Sequence, residues 1–306
     1  MGTTFEVKLV AGKVPQFQLD TIRQEILTQL DNVNSKMSTY LSSSEISRLN
    51  RSRKTSPQRL SRETMTVLAE AQHISTITQG AFDITVGPLV NIWGFGPEPL
   101  PQKTPNPQEI VQLKFQTGWD KIKLNKFNST VRKTDPSLYC DLSAIAKGYA
   151  IDQVSAALVQ KNLLQHMVEI GGEIKASGHN LSGKPWKIAI ERPSIQGRSF
   201  QRIIALEGLA IATSGDYRNF YQKNGVRHSH TIDPRTGHPV QHSLASVSVI
   251  DVSCMRADGY ATALMVLGET DGYRLATKHN LAALFLVRTP QGSFLERETP
   301  AFQHLF

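Results

Sequence analysis

LDTIRQEILTQLDNVNSKM, residues 19–37, decides how the rest of the chain is read. Leu19, Ile22, Ile26, Leu30, Val33 and Met37 recur at spacings of three and four, which lines one side of an α-helix of about five turns with apolar groups. A strand-like Phe5–Val10 precedes it, separated by Pro15. A polar segment, Ser42 to Arg62, follows. A second helix is expected over Glu63–Thr78, stopping at Gly80 as a natural C-cap. Five prolines between 97 and 109 predict an irregular loop. A third helix is expected over Asp141–Gln160, with Leu142, Ile145 and Tyr149 on one side. From 165 onward the chain is strand-rich: 167–170, 186–190, 202–206, 209–212 and 245–250. A further helix is expected from about Ala257 to Leu267, ending at Gly268, and a buried strand over Leu281–Val287. Strands paired around glycine turns, with long helices laid across them, make an α+β or mixed α/β architecture.

Composition excludes several functions. Of 306 residues, 40% are apolar and 20% charged, as in ordinary globular proteins. No stretch approaches the roughly 18 continuous apolar residues that a membrane span needs, so an integral membrane protein is not expected. The net charge of +8 points to an anionic partner or, more plainly, to a lysine-rich solvated surface. The densest basic run, Arg48 to Arg62, lacks the interleaved aromatics of a single-strand binding groove, so nucleic acid is not expected. Cys140 and Cys254 form neither a disulfide framework nor a thiolate metal set. No G-x-G-x-x-G follows the first strand, which removes support for a Rossmann site.

Four clusters carry candidate chemistry. Gly80-Ala81-Phe82-Asp83 through Trp93-Gly94-Phe95-Gly96 mixes small and aromatic residues that let a backbone approach and stack on a planar ligand; a glycine-rich turn over core aromatics reads equally well. Asp141 to Ala150 sets an acid and Ser143 before a helix whose N-terminus can receive a phosphate, with Lys147 adding a cation. The plainer alternative makes Asp141 a cap and turns Lys147 to water. His230 beside the turn Asp233-Pro234-Arg235-Thr236-Gly237 is a proton-transfer candidate, or a structural histidine. Asp258 and Thr262, four apart, share a helix face and offer two hard oxygens suited to Mg²⁺; otherwise Asp258 answers the helix dipole and Thr262 bonds back to the helix.

Taken together, these residues resemble the ApbE family of FAD:protein FMN transferases over essentially the whole chain. The stretches that carry the resemblance are Met1-Gly2-Thr3, Met37–Tyr40, Ser44–Asn50, Asp83–Gly96, Asp141–Ala150, Glu169–Glu173, His230–Gly237, Asp258–Gly268 and Thr299–Phe302. The resemblance implies one domain, 1–306, made of two α/β units with mixed sheets and a T-fold-like part, divided near residue 140. It implies that FAD, as substrate, lies against Met1, Tyr40, Ala81, Phe82, Asp83, Asp141 and Lys147, with His230 and Ile232 closing over it. It implies Mg²⁺ held by the side chains of Asp258 and Thr262 and by the Ala144 carbonyl. The acceptor expected is a Thr or Ser hydroxyl on a subunit of a membrane redox complex, with His230 the first candidate to take its proton, Asp233 the second, and AMP leaving. The chain opens without a leader pattern, which reads as a cytoplasmic protein or one whose export signal has been cut off; the resemblance implies a periplasmic or inner-membrane-anchored precursor, a cytoplasmic location staying open. Two alternatives also stay open: an FAD pyrophosphatase giving FMN and AMP, and a non-catalytic FAD carrier.

Overall fold

The computed structural model of the chain describes residues 2–10, 12, 15–96, 105–193, 199–217, 220–223 and 226–306; of residues 221–223 and 226–228 it describes the backbone alone. The periodic stretch is helix α1 (Gln16–Met37), which buries Ile22, Ile26, Leu30, Val33 and Met37, while Leu19 stays exposed. It follows strand β1 (Phe5–Leu9). The polar segment holds structure that its composition hid: α2 (Glu45–Arg51) and β2 (Gln58–Arg59), before α3 (Arg62–Ile77). Next come α4 (Gly87–Ile92), α5 (Pro107–Phe115), β3 (Ile122–Asn125) and β4 (Thr130–Lys133).

After α6 (Ala146–Gln160) run β5 (His166–Ile170), β6 (Glu173–Ser177), β7 (Trp186–Glu191), β8 (Phe200–Leu206) and β9 (Ala210–Gly215). The chain continues through β10 (Phe220–Lys223), β11 (Val226–Ser229), β12 (Ile232–Asp233), β13 (His238–Pro239) and β14 (Leu244–Asp251). It ends with α7 (Cys254–Lys278), β15 (Ala282–Arg288), β16 (Phe294–Glu298) and α8 (Pro300–Gln303).

Seven strands form one sheet in the order β1-β5-β6-β9-β14-β15-β16. Successive side chains alternate between its faces, and both faces of its central strands are covered, while the edge strands β1 and β16 stay largely exposed. Val168, Ile170, Val247, Val249, Ala283 and Phe285 pack into the core shared with α1, α3, α6 and α7. Met167, Ile211, Ile250, Leu284 and Leu286 pack on the β7–β8 hairpin and α8. That double burial is why these strands read as nearly continuous apolar runs. The mixed α/β class is as expected; within it every described strand pair is antiparallel, so mixed pairing is not seen among the described residues. No helix among the described residues is long and apolar enough to cross a membrane.

Three expected boundaries move, each for a local reason. Residues 97–104 of the proline-rich segment lie outside the described residues, but 107–109 are helical. Asn106 Oδ1 accepts from the Gln108 amide at 2.9 Å, Glu109 reaches back to the Asn106 amide at 3.0 Å, and Pro107 suits the first helical position. The third helix starts at Ala146, because Asp141 spends its Oδ1 on Ser143, accepting from its amide at 2.9 Å and its hydroxyl at 2.5 Å. That Asx turn competes with helix. Gly268 interrupts α7 instead of ending it: its φ of 77° and ψ of −176° form a kink, and His242 Nε2 bonds the freed Met265 carbonyl at 2.7 Å.

One buried residue makes stability depend on pH. His166 is fully buried; its Nδ1 faces the Leu163 carbonyl at 2.7 Å and its Nε2 the Ser155 hydroxyl at 2.8 Å. A carbonyl only accepts, so Nδ1 carries the proton and Nε2 accepts from Ser155. Burial depresses the His166 pKa below 6.5. As pH falls below 6.5 the unfolded chain takes up a proton that the folded chain refuses. This contribution is therefore fully present above that value and is lost with falling pH until the lower folded pKa is reached, at no more than about 1.4 kcal/mol per pH unit. Urea midpoints measured between about pH 7.5 and 5.5 should fall less steeply in His166→Gln than in wild type; equal slopes would contradict this reading.

Candidate active site

The four clusters that carry candidate residues meet around one cavity of about 900 Å³, at the upper end of ordinary ligand pockets. Tyr40, Ala81, Phe82, Asp83, Asp141, Ala144, Lys147, His230, Ile232, Asp258 and Thr262 all line it. Met1 lies outside the described residues.

At the aromatic end, α3 stops in a tight turn in which the Gly80 amide donates to the Ser75 carbonyl at 2.9 Å. Asp83 is buried, and burial raises its pKa against the pull of its hydrogen bonds. Its Oδ1 accepts from the amide and hydroxyl of Thr85, both at 2.7 Å, and its Oδ2 from the Trp119 amide at 3.0 Å. Both oxygens are thus committed to shaping the loop. Tyr40, 73% exposed, and buried Phe82 both line the cavity.

At the polar end, Gly148 on α6 donates its amide to Asp258 Oδ2 at 3.0 Å. Lys147 Nζ lies 3.4 Å from Glu173 Oε1 and 3.7 Å from Asp258 Oδ1, so it faces two carboxylates rather than water. Burial opposes its charge, but those carboxylates prevail and raise its pKa. Glu173 is pushed up to about 8, first by burial and then by the Asp258 charge, with Lys147 working the other way. Its Oε2 is buried with no hydrogen-bond partner among the described residues.

The donor set fits a hard cation. Asp258 and Thr262 sit one turn apart on α7 and both line the cavity, as Ala144 does. An orphaned buried carboxylate oxygen beside them marks a place short of positive charge. No group of three or more His, Cys, Asp or Glu is placed to hold a metal unaided among the described residues. A carboxylate, a hydroxyl and a backbone carbonyl are oxygen donors of the kind a hard cation takes together with waters and substrate phosphates.

Two expectations change. The start of α6 is not an open phosphate cradle led by Asp141: the helix begins five residues later, and the Gly148 amide in its first turn is already bonded to Asp258. Asp233, the second proton-acceptor candidate, is held by Arg235, with Nη2 to Oδ2 at 2.8 Å and Nε to Oδ1 at 2.9 Å, and it does not line the cavity. His230 does line it, and its ring meets Phe95 edge-on at 6.3 Å.

Glu173 closes the Glu169–Glu173 stretch, and nothing in its sequence assigns it a role. Its signal was the doublet before it: Gly171 and Gly172 have φ of 65° and 105°, which turns β5 sharply into β6 and aims Glu173 at Lys147. The Ser44–Asn50 motif turns out to support the site from behind. Asn50 pairs both ways with the Cys140 backbone at 2.8 Å, next to Asp141.

The sequence model of the ApbE family matches residues 1–285. The FAD:protein FMN transferase of Haemophilus influenzae is 45% identical, covering 100% of this chain and 89% of the relative. That of Vibrio cholerae is also 45% identical, covering 99% and 90%. Among solved structures, the flavin transferase ApbE from Vibrio cholerae superposes with a TM-score of 0.91 at 44% identity, over 100% of this chain and 96% of that one. The apo flavinyl transferase ApbE of Pseudomonas stutzeri gives 0.90 at 38%, over 100% and 94%. With the whole chain matched in sequence and in shape, the protein belongs to the ApbE family.

Proposed function

We propose that the chain transfers FMN from FAD to a Thr or Ser hydroxyl of an acceptor protein and releases AMP. The observation that carries this reading is that one cavity joins an aromatic rim, Tyr40 and Phe82, to the acidic Asp258–Thr262 face. A dinucleotide flavin needs such a pair of ends: a stacking surface for the isoalloxazine and an electrostatic one for the diphosphate. The core running without a break from Ile22 to Phe285 supports a single working domain over residues 1–306.

Phosphoryl transfer needs positioning and charge neutralisation more than covalent help. Mg²⁺ held by Asp258, Thr262 and the Ala144 carbonyl would supply charge neutralisation at the diphosphate. The chain's own residues do the rest. Lys147 balances the two carboxylates and holds Asp258 in place. Gly148 fixes the far oxygen of Asp258. His230, at the cavity wall, takes the proton from the acceptor hydroxyl as its oxygen bonds to the FMN-side phosphorus and the bond to the AMP phosphate breaks. The acceptor fitting this chemistry is a subunit of a membrane redox complex, and a periplasmic site of action accords with it.

Intact mass spectrometry of a candidate acceptor after incubation with FAD and Mg²⁺ tests the proposal. One hydroxyl residue should gain the mass of FMN, and a chelator should stop the gain by at least about a hundredfold. AMP release at the full rate without any acceptor would show a hydrolase instead. FAD that stays intact throughout would show a carrier.

A further inference from the structure

The small sheet β2-β4-β3 has two unlike faces. Ile122, Val131 and Lys133 point inward and are buried, and the Lys133 ammonium is satisfied by the Pro136 and Leu138 carbonyls at 3.1 and 3.2 Å. The outward face carries Arg59, Lys123 and Arg132, all exposed. Lys123 and Arg132 stand directly opposite each other in the ladder, an arrangement that costs stability between like charges. None of the three, nor Lys126, makes an ion pair with a carboxylate among the described residues. No Asp or Glu occurs within 46–62 or 121–134, and these two segments hold more cations than the chain's whole net charge of +8.

The β3–β4 turn adds a second feature. Phe127 at its tip is 100% exposed. The tip is held in shape: Asn125 Oδ1 accepts from the Phe127 amide at 3.0 Å and the Asn128 amide at 3.3 Å, and the Thr130 hydroxyl donates to Asn128 Oδ1 at 2.7 Å. A fixed turn that presents one bare aromatic ring beside a cationic face forms no groove for a partner helix. It matches the way an interfacial aromatic enters the headgroup layer of a bilayer while nearby cations meet anionic lipids.

We propose that the outer face of β2-β4-β3 and the Phe127 tip form a docking surface for an anionic lipid bilayer. The sheet is tied to the active site, since the segment entering β3 donates the Gly118 amide to Thr85 Oγ1 at 2.7 Å and the Trp119 amide to Asp83 Oδ2 at 3.0 Å. Docking would therefore hold the cavity at a set place relative to the membrane.

The test is partitioning of the full chain, without FAD or acceptor, onto phosphatidylcholine vesicles with and without about one third phosphatidylglycerol, at about 0.1 M salt. Wild type should prefer the anionic vesicles by about a hundredfold, and a variant with Arg59→Gln, Lys123→Gln and Arg132→Gln should lose most of that preference. Phe127→Ser should weaken binding about fivefold. A control with Lys184→Gln, Lys187→Gln and Lys278→Gln, equal in charge but elsewhere on the surface, should stay within about threefold of wild type. All these positions are exposed, and circular dichroism would verify folding. No preference for anionic vesicles overturns the proposal, and a surface built for an acidic protein would give that result. So does a control variant that falls as far as the face variant, or unchanged binding in Phe127→Ser. Because no flavin chemistry is read, this outcome stands apart from that of the transferase reading.

Discussion

Asp258→Asn should lower FMN transfer by about a thousandfold while the protein stays folded and still binds FAD. Asn keeps the shape of the side chain and one oxygen to accept from the Gly148 amide, now 3.0 Å from Oδ2. Lys147 keeps Glu173 as a partner at 3.4 Å. The fold therefore loses a part-compensated charge and no packing, a cost of about 1–3 kcal/mol at a buried site. In the proposed mechanism the metal loses its one carboxylate, and removing a preorganised electrostatic group costs about 100- to 1,000-fold in rate. Raising the metal concentration should recover part of the activity, because the hydroxyl of Thr262 and the carbonyl of Ala144 remain. The readout is the rate of FMN gain on the acceptor against Mg²⁺ concentration, beside FAD binding by flavin fluorescence. Transfer within tenfold of wild type would remove Asp258 from the metal site and leave the proposed mechanism without its centre.

What could be read from the sequence, and what could not, follows the range of the interactions. The apolar face of α1 was legible from spacing alone, because burial of Ile22 through Met37 repeats with the helix period. The central strands β5, β9, β14 and β15 were legible as apolar runs, most of them covered on both faces, whereas β6 and β16, with Glu173, Lys175, Glu296, Arg297 and Glu298 among their residues, carry no such run and were missed. The Asp258–Thr262 pair was legible because a helix brings i and i+4 together whatever surrounds it. Errors arose where a polar side chain overrides local propensity. Asp141 folds onto Ser143 and delays α6, and Glu45 anchors α2 to the start of α3 by accepting from the Ser61 amide at 2.8 Å inside a segment read as merely polar. For Glu173 the glycine doublet signals a turn but not what the turn serves. Its partner Lys147 is 26 residues away, and only folding brings the β6 edge against α6.

Gly148→Ala should destabilise the protein by about 3 kcal/mol or more, opposite in sign to what helix propensity predicts. Within an isolated helix, Gly to Ala gains about 1 kcal/mol, and Gly148 lies inside α6. A methyl group at this position, however, would come 2.3 Å from the Cys254 carbonyl oxygen, 2.5 Å from its carbon and 2.7 Å from Met255 Cα. These are backbone atoms, so no rotamer change relieves the overlap. The first turn of α7 is also tied to α6 itself, one turn beyond Gly148. Asp152 accepts from the Ser253 hydroxyl at 2.8 Å, the Cys254 amide at 3.1 Å and the Met255 amide at 3.0 Å, and Lys175 grips the same carboxylate at 2.6 Å. The two helices can separate to admit the methyl group only by stretching the Asp152 bonds that join them, so the contact stays overpacked or those bonds are lost. The displacement also draws the Gly148 amide off Asp258, and a shift of about 1 Å at such a site costs about a hundredfold in rate. Stability and activity should therefore fall together, read as a lower urea midpoint and slower FMN gain in the same preparation. A variant as stable as wild type would mean that helix propensity prevails and that α6 and α7 are not locked at this crossing.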